Sequence, residues 1–264
     1  MILVFVQEAS VLWRTEAFFI PLRMKQHYDL YDEQDLKVWK ILFERQVENL
    51  KSKASLHYLS CLREVETVLN AKEIPNFESL NTFLFNQSGW QIEVVPGLIP
   101  VHEFFELLAR RRFCSSTWLR KMEQLDYLEE PDMFHDIFGH IPLFADKNYA
   151  DLMQRIGALG VQYKEHSAII DGLERFYWFT IEFGLIRELD TLKIYGAGII
   201  SSYGESNHIY LPDVEIRIFD IVEILKTDFD KSTIQKLYYE ISSFEDLHKG
   251  LDILVSEFAK NISV

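Results

Sequence analysis

Two histidines five positions apart, His135 and His140, lie in the segment Pro131-Asp132-Met133-Phe134-His135-Asp136-Ile137-Phe138-Gly139-His140-Ile141-Pro142, whose neighbours are mostly apolar. Neutral imidazole is a good ligand for a divalent metal, but the spacing is awkward. In a straight α-helix five residues rotate by about 500°, which leaves the two rings ~140° apart and unable to share an ion. A bend is therefore required. Gly139, which lets a helix end, and Pro142, which prevents it from continuing, would allow His140 to swing back toward His135. Alone, the segment reads equally well as two core histidines with satisfied ring nitrogens.

A third residue changes that balance. In the run Phe176-Tyr177-Trp178-Phe179-Thr180-Ile181-Glu182-Phe183-Gly184-Leu185-Ile186, Glu182 is the one group of ordinary acidity. A buried, unpaired carboxylate costs several kcal/mol, so it needs a cation. Arg175 and Arg187 are seven and five positions away, outside a helical turn, which makes a metal the economical partner. Two imidazoles and one carboxylate, with three octahedral positions open, form the facial triad of non-haem iron(II) oxygenases. A zinc hydrolase is the rival. Its usual HExxH motif spaces the histidines by four with glutamate between them, whereas here the spacing is five and Asp136 follows the first histidine, which favours iron.

Other segments carry weaker signals. Lys193-Ile194-Tyr195-Gly196-Ala197-Gly198-Ile199-Ile200-Ser201-Ser202-Tyr203-Gly204-Glu205 combines glycines, which permit close backbone approach to a ligand, with hydroxyls able to bind a carboxylate or amine. It lacks a strand-to-helix phosphate pattern, so a nucleotide loop is rejected. Arg120, fifteen residues before His135, reads locally as a solvated surface arginine, with a fork for a substrate carboxylate as the alternative. Arg110, Arg111 and Arg112 read as a solvated helix end.

The elements that must position these groups are mainly helical. Leu36, Trp39, Phe43, Val47 and Leu50 mark an amphipathic helix from about Asp35. Trp90, Ile92 and Val94 alternate as a short strand ended by Pro96-Gly97, and Pro100 opens a helix to roughly Phe113. Segments near 147–160 and 168–187 read as helices, Val214 to Ile218 and Leu237 to Ile241 as strands. Ser243 and Asp246 resemble a capping box for a last helix to about Asn261. The class is α+β, predominantly α-helical, with a few short strands.

Composition narrows the function classes. The 264 residues are 48% hydrophobic and 14% aromatic, enough to close a core and wall a pocket with rings. A net charge of −14, from 27 basic and 41 acidic residues, opposes binding to a phosphate backbone, so nucleic acid is excluded as a partner. Cys61 and Cys114 form neither a disulfide framework nor a metal knuckle, which points to a reducing cytoplasm. No stretch approaches the ~20 apolar residues of a membrane span. Residues 1–23, apolar but lacking a basic leader and broken by Glu8, Arg14 and Glu16, read as an extension that function does not need, with Met24 as an alternative initiator. Residues 24–264 read as a single catalytic domain. No sustained heptad pattern suggests a coiled-coil oligomer, so a monomer is expected.

The strings EPDMFHDIFGHIPLF, FYWFTIEFGL and KIYGAGIISSYGE resemble, in order and spacing, the signatures of the pterin-dependent aromatic amino acid hydroxylases. VPGLIP and LDYLEEPD are most similar to the single-domain bacterial phenylalanine 4-monooxygenases, and the resemblance covers roughly residues 27–260. It implies the catalytic-domain fold of that family, iron(II), dioxygen and tetrahydrobiopterin or a related tetrahydropterin, and hydroxylation of an aromatic amino acid. It places His135, His140 and Glu182 on the iron, Arg120 on the substrate carboxylate with Ser201 assisting, and Trp178, Phe183 and Gly198 on the substrate pocket. For the pterin it implies Gly97, Leu98, Ile99, Phe104, Asp136 and Tyr177. Asp136 replaces a glutamate of the animal enzymes, and Val101 and Cys114 replace polar residues there. Phenylalanine is the expected substrate, with tryptophan or 3-hydroxylation of phenylalanine as alternatives.

Overall fold

Helix α1 (Glu33–Leu50) begins where Asp32 and Asp35 cap one another's backbone, a reciprocal box that fixes its first turn. Its buried face is Val38, Trp39, Leu42, Phe43, Gln46 and Leu50, while Leu36, expected on that face, is 41% exposed. This is a computed structural model, and it describes residues 24–126, 130–231 and 233–262. The expected extension over residues 1–23 lies outside them.

After α1 come α2 (Leu56–Glu64), α3 (Phe77–Ser88), β1 (Gln91–Val94), α4 (Val101–Ala109) and β2 (Arg112–Ser115). Strand β2 pairs in parallel with β1, pairing Gln91 with Arg112. The helix expected to reach Phe113 therefore stops at Ala109. Arg111 takes a left-handed conformation (φ 55°), turning the chain so that Phe113 can enter a strand and be buried. Nor do the three arginines make a solvated helix end. Arg110 is exposed beside Glu106, Arg111 donates to the Ser88 carbonyl and pairs with Asp151, and Arg112 is a strand residue.

Helices α5 (Lys147–Gln162) and α6 (Ser167–Tyr177) follow, then β3 (Gly184–Glu188), β4 (Thr191–Ile194), α7 (Ala197–Ser201), α8 (Tyr203–His208), β5 (Glu215–Ile218), α9 (Ile221–Ile224), β6 (Leu237–Ile241) and α10 (Glu245–Ile262). The continuous helix expected over 168–187 is three elements: α6, a π-helical turn at Trp178–Glu182, and β3. Strands β4, β3, β6 and β5 form a sheet in that order, with β3 antiparallel to β4 and the other pairs parallel. The capping reading of the last helix holds in half: the Asp246 carboxylate accepts from Ser243 N–H at 3.0 Å. The mainly helical class with short strands is observed.

One apolar cluster runs from Val38 in α1 to Leu254 in α10. Its aromatic part anchors the histidine segment. Phe134 and Phe138 stack on each other with ring centres 4.8 Å apart, and reach Trp39 and Phe43 of α1 at 5.5 and 5.1 Å. Fully burying such side chains contributes about 1.5–3 kcal/mol each. The Tyr58 hydroxyl of α2 donates to the Phe138 carbonyl at 2.6 Å.

Candidate metal centre

Residues His135–His140 are wound as a π-helix, which continues into a 3-10 turn at Ile141–Ala145. The bend expected from helix termination at Gly139 is absent. Instead, i→i+5 winding widens the turn, so residues five apart come round to one side. Glu182 ends the second π-helical turn, closed by a bond from Phe183 N–H to the Trp178 carbonyl at 3.0 Å. Helical periodicity of 3.6 could not reveal either arrangement.

The three side chains meet in the core. His135 is 2% exposed, His140 and Glu182 not at all. The two Nε2 atoms are 3.3 Å apart, Glu182 Oε1 is 3.1 Å from His140 Nε2, and Oε2 is 3.7 Å from His135 Nε2. Donors about 2.1 Å from one ion at right angles would stand about 3 Å apart, so the spacing suits a single metal. Neither Glu182 oxygen has a hydrogen-bond partner. Burial pushes His135 down to about 3, leaving it neutral. Burial opposes ionisation of Glu182, yet His140 and His135 hold its carboxyl below the ordinary value. An ionised carboxylate without a hydrogen-bond partner, facing the Nε2 atoms of two imidazoles, is a donor set that fits a divalent cation.

The supports of the two histidines differ. His135 Nδ1 lies 2.9 Å from Ser201 Oγ, which itself donates to the Ala197 carbonyl at 2.9 Å. Ser201 must then accept from Nδ1–H, which fixes the tautomer and leaves the Nε2 lone pair for the metal. His140 Nδ1 has no such partner; its ring is held instead between Phe113 at 4.7 Å and Tyr177 at 6.4 Å.

Gly196, expected to let backbone approach a ligand, and Gly139, expected to end a helix, admit other backbone instead. A Cβ on Gly196 would lie 2.5 Å from the Glu182 carbonyl oxygen, and one on Gly139 would lie 2.9 Å from that of Ala197. Glycine here lets α7 pack directly against both π-helical turns, which is how Ser201 reaches His135.

Arg120 is not a solvated surface residue. Its Nε and Nη2 bind Asp132 side-on at 2.9 and 2.8 Å, its backbone N–H binds the same carboxylate at 3.0 Å, and its guanidinium lies 5.7 Å from the Phe134 ring centre. Asp132 also accepts from His135 N–H at 3.1 Å. Asp132 thus joins Arg120 to the histidine segment, a role the sequence reading missed. Its signal was an aspartate three residues before the first π-helical residue, the spacing of a helix cap.

Of the remaining expected site residues, Tyr177 lies against the His140 ring. Trp178 lies 4.9 Å from Phe183, and Phe183 abuts Gly198. Phe104 meets Tyr177 edge-on at 5.2 Å, and Tyr177 carries a buried hydroxyl with no partner. Asp136 is buried, accepts from Ser116 N–H at 2.9 Å, and burial raises its carboxyl well above the usual range. Gly97, Leu98 and Ile99 form the loop between β1 and α4; Ile99 is buried, and a Cβ on Gly97 would meet open space.

Residues 26–264 match the family of biopterin-dependent aromatic amino acid hydroxylases. The chain is 44% identical over 225 residues to a phenylalanine-4-hydroxylase of Ralstonia nicotianae, covering 85% of this chain and 71% of that one. It is 32% identical over 238 residues to tyrosine 3-monooxygenase of Mus musculus, covering 89% of this chain and 47% of that one. Among solved structures it is similar to Chromobacterium violaceum phenylalanine hydroxylase with bound iron(III) and oxidised cofactor 7,8-dihydrobiopterin, with a TM-score of 0.82 at 40% identity, covering 90% of this chain and 86% of that one.

Proposed function

The chain belongs to the biopterin-dependent aromatic amino acid hydroxylases, and from that membership we propose that it converts L-phenylalanine to L-tyrosine with dioxygen and a tetrahydropterin at a mononuclear non-haem iron(II). The observation that carries the reading is the buried triad, with its two unbonded carboxylate oxygens aimed at the histidines. Family membership favours this over a zinc hydrolase. The greater identity to phenylalanine than to tyrosine hydroxylases favours the phenylalanine substrate.

When bound, iron(II) and tetrahydropterin supply oxygen activation and two reducing equivalents. His135, His140 and Glu182 hold the iron. Arg120 takes the amino acid carboxylate: the side-on pair with Asp132 uses two of its five N–H groups and leaves three for a second carboxylate. Ser201, whose O–H is taken by the Ala197 carbonyl, assists by accepting from the amino acid's ammonium group with its remaining lone pair. Trp178, Phe183 and Gly198 wall the aromatic ring. Gly97, Leu98, Ile99, Phe104, Asp136 and Tyr177 receive the pterin, Phe104 by stacking and Tyr177 with its unpartnered hydroxyl. Burial of the triad excludes water, which limits loss of reducing equivalents to side reactions.

Residues 24–264 act as one catalytic domain to which residues 1–23 are an accessory. The enzyme works as a cytoplasmic monomer on small molecules. Its net charge of −14 supports the exclusion of nucleic acid, and among the described residues no helix is long and apolar enough to cross a membrane. Metal analysis of purified wild type and of His135→Ala, His140→Ala and Glu182→Gln tests the site. Wild type should retain one iron per chain and each variant should lose it together with turnover. Full activity in any variant would refute the assignment.

A further inference from the structure

We propose that Gln235 is a positioning residue that fixes the orientation of the Trp178 indole and thereby sets the selectivity of the aromatic pocket. The inference rests on the functional reading above, and its evidence lies outside the metal centre. Trp178 is 3% exposed and held on three sides. Phe229 stacks on it at 4.3 Å with an interplanar angle of 23°, Phe183 packs at 4.9 Å, and its Nε1–H donates to Gln235 Oε1 at 3.2 Å.

Gln235 is itself immobilised. It is 6% exposed, and its Nε2 donates to the carbonyls of Asp230 and Thr233, each at 2.8 Å. Those two bonds fix the amide, because a flipped amide would set its oxygen against two carbonyls and its NH₂ against the indole N–H. The Gln235 backbone N–H donates to Glu205 Oε1 at 3.1 Å, and the same oxygen accepts from Tyr238 at 2.7 Å. Glu205 belongs to α8, directly after the α7 segment that carries Gly198 and Ser201.

The other end of this segment is tied to α6. Arg175 donates to the Thr227 carbonyl at 3.2 Å and to Asp228 at 3.1 Å, and Lys231 lies 3.7 Å from Glu174 and 5.5 Å from the Phe229 ring centre. Residues 227–231 and 233–235 therefore bridge α6 and α8 around Trp178, which stands four positions before Glu182. Losing the Gln235 acceptor would leave a buried indole N–H unbonded, so the ring would leave its present rotamer to find a partner. A pocket wall would move and the iron would not.

The test uses the full chain loaded with iron, with Gln235→Met, which keeps volume but removes the acceptor, and Phe229→Leu, which removes the stack. Both are made in the wild type and in Trp178→Phe. The kcat/KM ratio for phenylalanine over tryptophan should fall about fivefold or more in either variant. Iron content should be unchanged, and the Trp178 indole N–H resonance, assigned by its loss in Trp178→Phe, should exchange faster with solvent. In the Trp178→Phe background the same changes should add nothing. An unchanged ratio with normal turnover, or an equal fall in the Trp178→Phe background, would overturn this inference alone. Wild type that hydroxylates neither amino acid would overturn the functional reading, and this inference with it.

Discussion

Replacing Asp132 with alanine removes the carboxylate that anchors Arg120 and caps the histidine segment. Asp132 is fully buried and accepts two guanidinium bonds, the Arg120 backbone N–H and the His135 backbone N–H. The Arg120 side chain is only 9% exposed, so the variant leaves a nearly buried charge unpaired. Breaking one side of such a pair costs about 3–5 kcal/mol. At about 2–4 °C per kcal/mol for a chain of this size, Tm should drop by roughly 6–20 °C. KM for phenylalanine should rise as Arg120 loses its fixed direction. Asp132→Leu combined with Arg120→Met should recover much of the lost stability and none of the substrate affinity, because no charge is then stranded. The pH dependence has a defined sign. Burial alone would raise the Asp132 carboxyl, but the Arg120 guanidinium and the N–H donors of Arg120 and His135 hold it below its usual value. Its folded value therefore lies below the unfolded one, so the contribution is complete above about pH 4 and is lost as pH falls through the folded value. The gap in unfolding free energy between wild type and Asp132→Ala should be level from roughly pH 5 to 7 and narrow below about pH 4. Denaturant unfolding across that range measures it. A Tm within about 2 °C of wild type, with KM unchanged, would refute the account of Asp132.

Three further outcomes follow from the packing around the triad. Ser201→Ala should leave the fold intact but weaken iron affinity about 10–100-fold, since His135 Nδ1 loses the acceptor that fixes its tautomer; competition with a chelator reads this. Gly139→Ala should destabilise by about 1–3 kcal/mol and lower iron occupancy, because the added methyl would sit 2.9 Å from the Ala197 carbonyl oxygen and push α7 away; thermal unfolding and metal content check both. Tyr58→Phe should cost about 1–3 kcal/mol by stranding the Phe138 carbonyl inside the core, with little change in kcat once iron is bound, as paired unfolding and kinetic measurements would show.

The chemistry of the centre was more legible than its architecture. An isolated carboxylate in an apolar run and two nearby histidines identified the three side chains that the fold brings together. Their geometry was not legible, because both turns are π-helical and the expected bend at Gly139 assumed α-helical winding that breaks. Long amphipathic and strongly capped elements such as α1, α5 and α10 could be read. The short strands β3 and β4 could not, because the buried start of β3 continues the apolar run of the π-helical turn before it and the burial of neither strand alternates. Arg120 shows the limit of local reading: its neighbours in sequence suggest a solvated side chain, while its burial depends on Asp132 twelve positions later. The Gln235 contact to Trp178 spans 57 positions and leaves no periodic trace at all.

The central claim, that this buried triad holds an iron which hydroxylates phenylalanine with electrons from a pterin, is tested most directly by product identification after anaerobic loading with iron(II). Phenylalanine, tyrosine and tryptophan are supplied together with tetrahydropterin and oxygen. Tyrosine formed from labelled phenylalanine should dominate, and should vanish when iron or pterin is omitted. A tryptophan-derived or 3-hydroxylated product as the main outcome, or undiminished turnover without pterin, would contradict it.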